Sequence, residues 1–340
     1  MARRRQQVCV IERHPRLGQE SSTHNSGVIH AGLYHPAASL KTRLCHEGRE
    51  RLYSFCAEFQ VPHVRCGKLI VAGPGDEPSF EELMRNAARN GAQLDEASPA
   101  FVREREPHIA ATRAAWSPHT GWIDADAYVQ RLSAELEAHG GVILRGTPVQ
   151  RIVRRAAGLA IATPRETIDA DAVVNAAGLM AHHVSAIAGG EPFTIYPCRG
   201  EYAELAPHAR ELVHGLVYPV PHPSGHGLGV HLTRTISGAV WIGPTIRYQE
   251  DPSDYERDRL PLEEFLEPTR RLLPTVTIAD LRLGSSGIRA KLHPPTERFA
   301  DFLIRPDAQV PGLIHVAGID SPGLTASLAI GEYVADNFLS

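Results

Sequence analysis

A short apolar segment near the start of the chain constrains the fold more than any other feature. Residues 8–13 form an apolar run that ends in Glu12 and Arg13. A strand that ends in an acidic residue is typical of the second strand of a dinucleotide-binding βαβ unit, where the carboxylate accepts hydrogen bonds from a ribose. The glycine-rich turn of such a unit lies about 20 residues before the acid. Only eleven residues precede Glu12 and none is glycine, so we expect the first strand, its turn and most of the first helix to be absent.

The basic residues before this strand fit the same interpretation. Residues 2–7 include three consecutive arginines, and cationic side chains are favoured near the C-terminus of a helix. We therefore predict that they form the last turn of the missing helix, and the alternative is a basic leader without a partner.

Composition excludes several classes of protein. A chain of 340 residues with 43% hydrophobic and 22% charged residues is typical of a globular protein with ample core. The net charge of −4 favours a small-molecule partner over nucleic acid. No stretch approaches the ~20 apolar residues of a membrane span, although peripheral membrane contact stays open. The eighteen histidines include no His-Glu-x-x-His motif, so we predict no metal site.

Cysteine usage indicates the compartment. The five cysteines are scattered and include no Cys-x-x-Cys pair, which predicts reduced thiols and a cytoplasmic location. Thiols of this kind usually pack as small buried residues, and we expect that role for Cys9, Cys45 and Cys56.

Helix and strand signals alternate along the first half of the chain. Ser39 and Asp124 are typical helix N-caps, and they predict helices over about 39–60 and 125–139. The other elements predicted in this half are a strand at 67–72, a helix at 78–91, a loop that contains Trp116 and Trp122, and a β-meander at 149–174.

The second half combines a new sheet with two strand-to-helix turns. Residues 196–250 contain several strand-like runs with Pro and Gly between them, which predicts a largely antiparallel sheet. A helix is expected over 260–273. The runs at 171–179 and 312–338 each predict a strand, a turn of small residues and a helix, an arrangement that lets a ligand approach backbone N–H groups closely.

Seven segments occur in an order and spacing that point to a known family. The central one is 24–34, and the supporting ones are 66–72, 199–202, 218–221, 229–233, 287–291 and 321–325. Together they resemble the FAD-dependent oxidoreductases of the D-amino-acid oxidase and glycine oxidase superfamily. Within it, segment 24–34 is similar to the signature of L-2-hydroxyglutarate dehydrogenases and oxidases.

The resemblance implies a two-domain α/β (α+β) fold. A Rossmann-like FAD-binding domain that lacks its first strand would be packed against a mostly antiparallel substrate domain. The boundaries expected for the FAD-binding domain are 1–66, 123–190 and 284–340. Those expected for the substrate domain are 67–122 and 191–283.

The resemblance also implies which residues contact the FAD cofactor. Glu12, with Arg13 beside it, would bind the adenosine ribose, and the backbone of Val149 would contact the adenine. Ser26 and Gly27 would lie beside the isoalloxazine. The positions implied for the phosphate, the ribitol and the pyrimidine edge of the flavin are Ala177, Gly178, Gly318, Gly323, Leu324 and Thr325.

The implied reaction requires a base. Oxidation of a 2-hydroxy acid moves the Cα hydride to flavin N5 while the hydroxyl loses a proton. Histidine has a suitable unperturbed pKa of roughly 6.5. His231 and His30 are the preferred candidates, because both lie among small or apolar neighbours in the family segments.

The substrate carboxylates require cationic partners. Arg289 matches the arginine that similar oxidases use against the substrate carboxylate, and its bidentate geometry suits that role. A second carboxylate would need a second cation, and Lys68, Arg199 and Lys291 are the choices, with Lys68 first. Tyr218 could supply a hydroxyl partner.

Two alternatives to a 2-hydroxy acid oxidoreductase stay open at this point. One is an amino-acid or amine oxidase of the same superfamily. The other is an N-terminally truncated, cofactor-free protein without catalysis. For the oxidoreductase, the electron acceptor could be a quinone, an electron carrier or oxygen.

Overall fold

The computed structural model describes residues 6–221 and 229–339. The helical turn predicted at residues 2–7 falls mostly outside these ranges. The helices are α1 (Leu40–Phe59), α2 (Glu77–Arg89), α3 (Pro99–Arg105), α4 (Ala125–Ala138), α5 (Ala181–Ala188), α6 (Glu263–Arg270) and α7 (Gly323–Phe338). The strands are β1 (Cys9–Ile11), β2 (Val28–Ile29), β3 (His63–Val64), β4 (Lys68–Ala72), β5 (Asp95–Ala97), β6 (Arg113–Ser117), β7 (Gly121–Ile123), β8 (Val142–Leu144), β9 (Arg151–Arg154), β10 (Leu159–Ala162), β11 (Thr167–Ala170), β12 (Val173–Asn175), β13 (Tyr196–Leu205), β14 (Leu216–Pro219), β15 (His231–Arg234), β16 (Val240–Gly243), β17 (Arg247–Tyr248), β18 (Leu281–Lys291), β19 (Leu303–Pro306) and β20 (Leu313–Ala317).

Local capping signals start two of the long helices. The Ser39 hydroxyl accepts from the Thr42 N–H at 3.1 Å at the start of α1, and Asp124 accepts from the Ala127 N–H at 2.9 Å at the start of α4. Both predicted caps are confirmed. Helix α1 packs closely on α7, because a Cβ atom at Gly48 would lie 2.4 Å from the Thr325 carbonyl oxygen. Glycine at this position therefore brings the N-terminal half of α7 against α1.

Parallel strands of the nucleotide-binding type form two separate sheets. β1 pairs with β8 in parallel, and β12 pairs in parallel with β20, whose other edge carries antiparallel β19. The predicted meander is confirmed as the antiparallel sheet β9–β10–β11. A further small sheet has the order β2-β7-β3.

The largest sheet has nine strands and forms one wall of a large cavity. Its order is β17-β13-β16-β15-β14-β4-β6-β5, and β18 pairs with β13. All its pairings are antiparallel except that of β4 with β14, which confirms the mostly antiparallel sheet. Apolar residues of this sheet pack against α6 through Phe265 and against the turn that follows at Leu273. The domain boundaries stay a prediction.

Three local predictions are wrong. Trp116 and Trp122 lie in β6 and β7 rather than in a loop, because β6 pairs along its full length with β4 and β7 pairs with both β2 and β3. The helix predicted at 260–273 covers only Glu263–Arg270, and two N–H groups beyond it converge on the Thr269 carbonyl in a tight turn. Cys9 is exposed, because β1 has one neighbouring strand among the described residues. Cys45 and Cys56 are buried as expected.

Candidate active site

A cavity of about 760 Å³ lies between the large sheet and the N-terminus of α7. It brings together residues that are far apart in the sequence. His30, Tyr218, His231 and Arg289 all line it, whereas Lys68 does not. Four of the five predicted catalytic side chains therefore share one space.

The His231 ring is held in one orientation by its surroundings. Its Nδ1 lies 2.9 Å from the Gly229 carbonyl oxygen, and the ring stacks on Tyr218 with a centroid distance of 3.8 Å and an interplanar angle of 21°. A carbonyl can only accept, so we assign the proton of the neutral ring to Nδ1, which leaves Nε2 as an acceptor. Burial lowers the pKa of His231 to about 3, and the positive charges of Lys68 and Arg289 act in the same direction. The ring is neutral at physiological pH.

His30 is tied to the start of α7. Its backbone N–H donates to the Thr325 hydroxyl at 3.0 Å, and its Nε2 lies 3.2 Å from the Ser321 hydroxyl. Burial, followed by the charge of Lys68, holds the pKa of His30 well below its ordinary value. The cavity thus contains a second neutral imidazole.

Lys68 lies behind the cavity wall, between two tyrosine rings. It is fully buried on β4, and its Nζ lies 4.7 Å from the Tyr34 ring centroid and 4.4 Å from that of Tyr218. No hydrogen-bond partner for Nζ occurs among the described residues. Burial lowers the pKa of Lys68 to about 7. The ammonium is therefore stabilised mainly by the faces of the rings.

Arg289 presents a guanidinium without a carboxylate partner in the described part of the chain. Both terminal nitrogens lie 3.3–3.4 Å from the Thr245 carbonyl oxygen, and the side chain is partly buried in the cavity wall. A Cβ atom at Gly200 would lie 2.7 Å from Nη2, so glycine leaves the room that the guanidinium occupies. A partly desolvated cation of this kind is suited to binding a carboxylate.

A cluster of two lysines and one aspartate lines the same cavity. Asp320 Oδ1 lies 2.6 Å from Lys41 Nζ, and Asp320 Oδ2 lies 3.2 Å from Lys291 Nζ. All three side chains are largely buried, with exposures of 5% for Lys41, 6% for Asp320 and 18% for Lys291. Burial alone would raise the pKa of Asp320, but the two lysines outweigh it and hold that pKa below its usual range.

Motif comparison did not single out Lys41 or Asp320, yet the composition contains a signal for the lysines. The chain has 35 lysines and arginines, and only three of them are lysines: Lys41, Lys68 and Lys291. Two of the three line the cavity and the third lies behind its wall. In contrast, Arg199 is buried against Glu201 at 2.9 Å and lies outside the cavity.

The residues expected to contact the flavin lie partly in the cavity wall. Ser26, Gly323 and Leu324 line it. Helix α7 begins there with Pro322 at its N-cap and no side-chain cap, so the positive end of the helix dipole faces the cavity. Gly27 and Gly318 have positive φ angles, and a Cβ at either would collide with Ile123 or Leu292. Protein packing therefore explains these two glycines by itself.

The other expected cofactor residues lie outside the cavity. Gly178 has φ +54°, and a Cβ there would meet no atom within 4 Å, so the turn after Ala177 leaves space for a ligand. Glu12 accepts from the His14 N–H at 2.8 Å, and Arg13 pairs with Glu20. The nearby Val149 packs with the apolar cluster of Ile11. Their contacts with the cofactor stay a prediction.

Comparison with known proteins shows the family. The family described as "FAD dependent oxidoreductase" (DAO) matches residues 1–337. The chain belongs to this family. Its relatives include the mitochondrial L-2-hydroxyglutarate dehydrogenase of Caenorhabditis elegans, with 31% identity over 98% of this chain and 87% of the relative. They also include the L-2-hydroxyglutarate dehydrogenase of Salmonella houtenae, with 30% identity over 96% and 86%.

Solved structures share the fold. L-α-glycerophosphate oxidase from Mycoplasma pneumoniae with FAD bound has a TM-score of 0.85 at 23% identity, and the match covers 96% of this chain and 87% of that one. Glycine oxidase from Geobacillus kaustophilus has a TM-score of 0.83 at 22% identity, covering 98% and 88%. The predicted superfamily, the two-domain flavoenzyme fold and the FAD cofactor are confirmed. The large cavity and the uncapped start of α7 fit the flavin end of that cofactor.

Two further observations concern the part of the chain that the structure describes. None of its helices combines the length and apolar character that a membrane crossing requires. Glu191, Asp307 and His315 lie close enough together to share a metal ion. His315 Nε2 lies 2.7 Å from Asp307 Oδ2 and Arg305 pairs with Glu191 Oε2 at 2.7 Å, whereas Glu191 Oε1 is buried without a hydrogen-bond partner among the described residues. The absence of a metal site stays a prediction.

Proposed function

We propose that this FAD-dependent enzyme oxidises L-2-hydroxyglutarate, or a closely similar 2-hydroxy acid, to the 2-oxo acid. The names of its relatives support this substrate class. One observation carries the proposal: an arginine with no carboxylate partner among the described residues and a histidine with an acceptor nitrogen line the same cavity.

Arg289 and His231 divide the work on the substrate in this proposal. Arg289 binds the carboxylate next to the reacting carbon with two parallel hydrogen bonds, which fixes the orientation of that carbon. His231 Nε2 accepts the hydroxyl proton as the C–H bond breaks. FAD, when bound, accepts the hydride. The products are the 2-oxo acid, a protonated imidazole and the reduced cofactor.

The surroundings of His231 suit a base whose pKa rises when an anionic substrate binds. Burial keeps the imidazole neutral, and a substrate carboxylate beside it would raise its pKa by opposite-charge attraction. His30 is the second candidate acceptor, because it is also neutral. Tyr218 orients His231 by stacking. Lys68 acts as a positioning residue behind Tyr218. Its positive charge there opposes protonation of His231 and His30 before the substrate binds.

The acceptor and the compartment belong to the same proposal. We propose a quinone, an electron carrier or oxygen as the electron acceptor. We place the enzyme in the cytoplasm, with peripheral membrane contact as an option, because all five cysteines are unpaired.

Spectra and turnover test the proposal. The purified protein should be yellow, and L-2-hydroxyglutarate should bleach the flavin absorption under anaerobic conditions and release 2-oxoglutarate. A colourless protein that FAD does not restore would support a cofactor-free protein. Bleaching by amino acids and not by 2-hydroxy acids would support the amine oxidase alternative. Full activity in both His231→Asn and His30→Asn would exclude the assigned bases.

A further inference from the structure

The charges that line the cavity exceed what one carboxylate of a substrate requires. In the described ranges, Lys41, Arg289 and Lys291 contribute three buried or partly buried cationic groups to its wall, Arg298 adds an exposed one, and Asp320 is the single carboxylate there. The carboxylate of Asp301, just behind the wall, accepts hydrogen bonds from the first two N–H groups of α1, at 2.6 Å and 3.0 Å. Uncompensated charge away from water is costly unless an opposite charge pairs with it. The cavity therefore favours a ligand with more than one negative charge.

The position of Lys41 is not explained by the stability of its helix. It lies in the first turn of α1, where the helix dipole favours anions and disfavours cations. It is also 95% buried. It is one of three lysines in a chain that otherwise uses arginine for its basic residues, and its burial in the cavity wall points to a role in binding.

The spacing on β18 matches a substrate with two carboxylates. Arg289 and Lys291 are two residues apart on this strand, so their side chains leave the same face and their Cα atoms are about 7 Å apart. Both side chains line the cavity. In 2-hydroxyglutarate, four carbon–carbon bonds separate the two carboxyl carbons. A carboxylate on Arg289 thus leaves the second one within reach of Lys291.

We propose that Lys291 and Lys41, bridged by Asp320, form the subsite for the distal carboxylate of a dicarboxylate substrate. The inference rests on the proposed function for the identity of the substrate. Asp320 holds both ammonium groups in place before the substrate arrives, and the three groups together keep one net positive charge. Lys68 would then be excluded as the second carboxylate partner.

Binding of two inert acids to the FAD-loaded protein tests the subsite without turnover. Glutarate carries both carboxylates and butyrate carries one. Isothermal titration calorimetry should show glutarate binding at least about 10-fold more tightly than butyrate, because a charge-assisted hydrogen bond adds about 10- to 100-fold. Lys291→Met should bring the two affinities close together, and Lys291→Arg should restore most of the difference.

A matched control and a labelling experiment complete the test. Arg247→Met removes one exposed positive charge outside the cavity, so the preference for glutarate should not change. Amine-specific dimethylation should modify Lys41 and Lys291 more slowly when glutarate is present.

Several results would overturn the inference. These are equal affinities of the wild-type protein for glutarate and butyrate, an equal loss of both in Lys291→Met, or protection of the lysines by FAD with no addition from glutarate. If glutarate binds as expected but no 2-hydroxy acid is oxidised, the proposed function fails while the subsite stands.

Discussion

Replacing Lys68 by methionine should make the protein more stable and less active. The lysine is fully buried and its pKa is lowered from 10.5 to about 7 by burial. Each tenfold change in an acid constant corresponds to about 1.4 kcal/mol, so folding with a charged Lys68 costs about 5 kcal/mol. The cation–π contacts with the rings of Tyr34 and Tyr218 offset about 1 kcal/mol each of this cost. Methionine has a similar length and no charge, so we expect a gain of about 3 kcal/mol at pH 6.

The lowered pKa of Lys68 also determines how the stability gain of Lys68→Met changes with pH. A group whose pKa is lowered by folding destabilises the folded state at every pH where the unfolded chain binds the proton. The cost is complete below pH 7, declines between pH 7 and 10.5, and vanishes above. The advantage of Lys68→Met should therefore fall from about 3 kcal/mol at pH 6 to about 1 kcal/mol at pH 9.5.

Urea unfolding of both FAD-loaded proteins at the two pH values measures the difference. Cys45, His30 and His231 surround the same charge, so turnover should be followed in parallel. Without Lys68 the pKa of each histidine rises, and the acid limb of the kcat/KM profile should move to higher pH. A variant with wild-type stability at both pH values would refute the electrostatic account of Lys68.

Three more substitutions test other parts of the structure. Arg289→Lys keeps the charge but loses the two-pronged geometry, so kcat/KM for L-2-hydroxyglutarate should fall about 10- to 100-fold, and an unchanged value would contradict the carboxylate assignment. His231→Asn should lower kcat about 100-fold or more with a smaller change in KM, which steady-state kinetics can separate. Glu201→Gln removes the fully buried carboxylate that Arg199 and Arg259 share and leaves them only the more exposed Asp254 and Glu256, so we expect a loss of about 3 kcal/mol in the free energy of unfolding, and a loss below about 1 kcal/mol would show that the network is dispensable.

Sequence signals located the elements that depend on local chemistry. Ser39 and Asp124 cap their own helices, so a few neighbouring residues suffice to predict them. β6 escaped prediction because its sequence lacks β-branched residues, and its strand conformation comes from pairing with β4, more than forty residues earlier in the chain. Long-range pairing of this kind leaves little trace in a local window.

The site divides in the same way. Arg289 and His231 were found because they lie in recognisable segments, and the structure brings both to one cavity. The ion pair of Lys41 with Asp320 joins the first turn of α1 to the residues just before α7. The sequence of neither segment indicates this contact. The position of Lys68 behind Tyr218 also required the fold, since the sequence shows only a lysine at the start of an apolar strand.

The hydrogen bond between His231 and the Gly229 carbonyl makes the proton position of the base a property of the main chain. Many catalytic histidines depend on a carboxylate that one substitution can remove. Here the partner is a peptide oxygen two residues earlier, on a glycine with φ +74°. No change of side chain type can delete that acceptor, but a residue with a Cβ at position 229 strains the turn that aims it. The backbone conformation at Gly229 therefore determines the tautomer of His231. Substitution of Gly229, which has no side chain, should disturb this tautomer most.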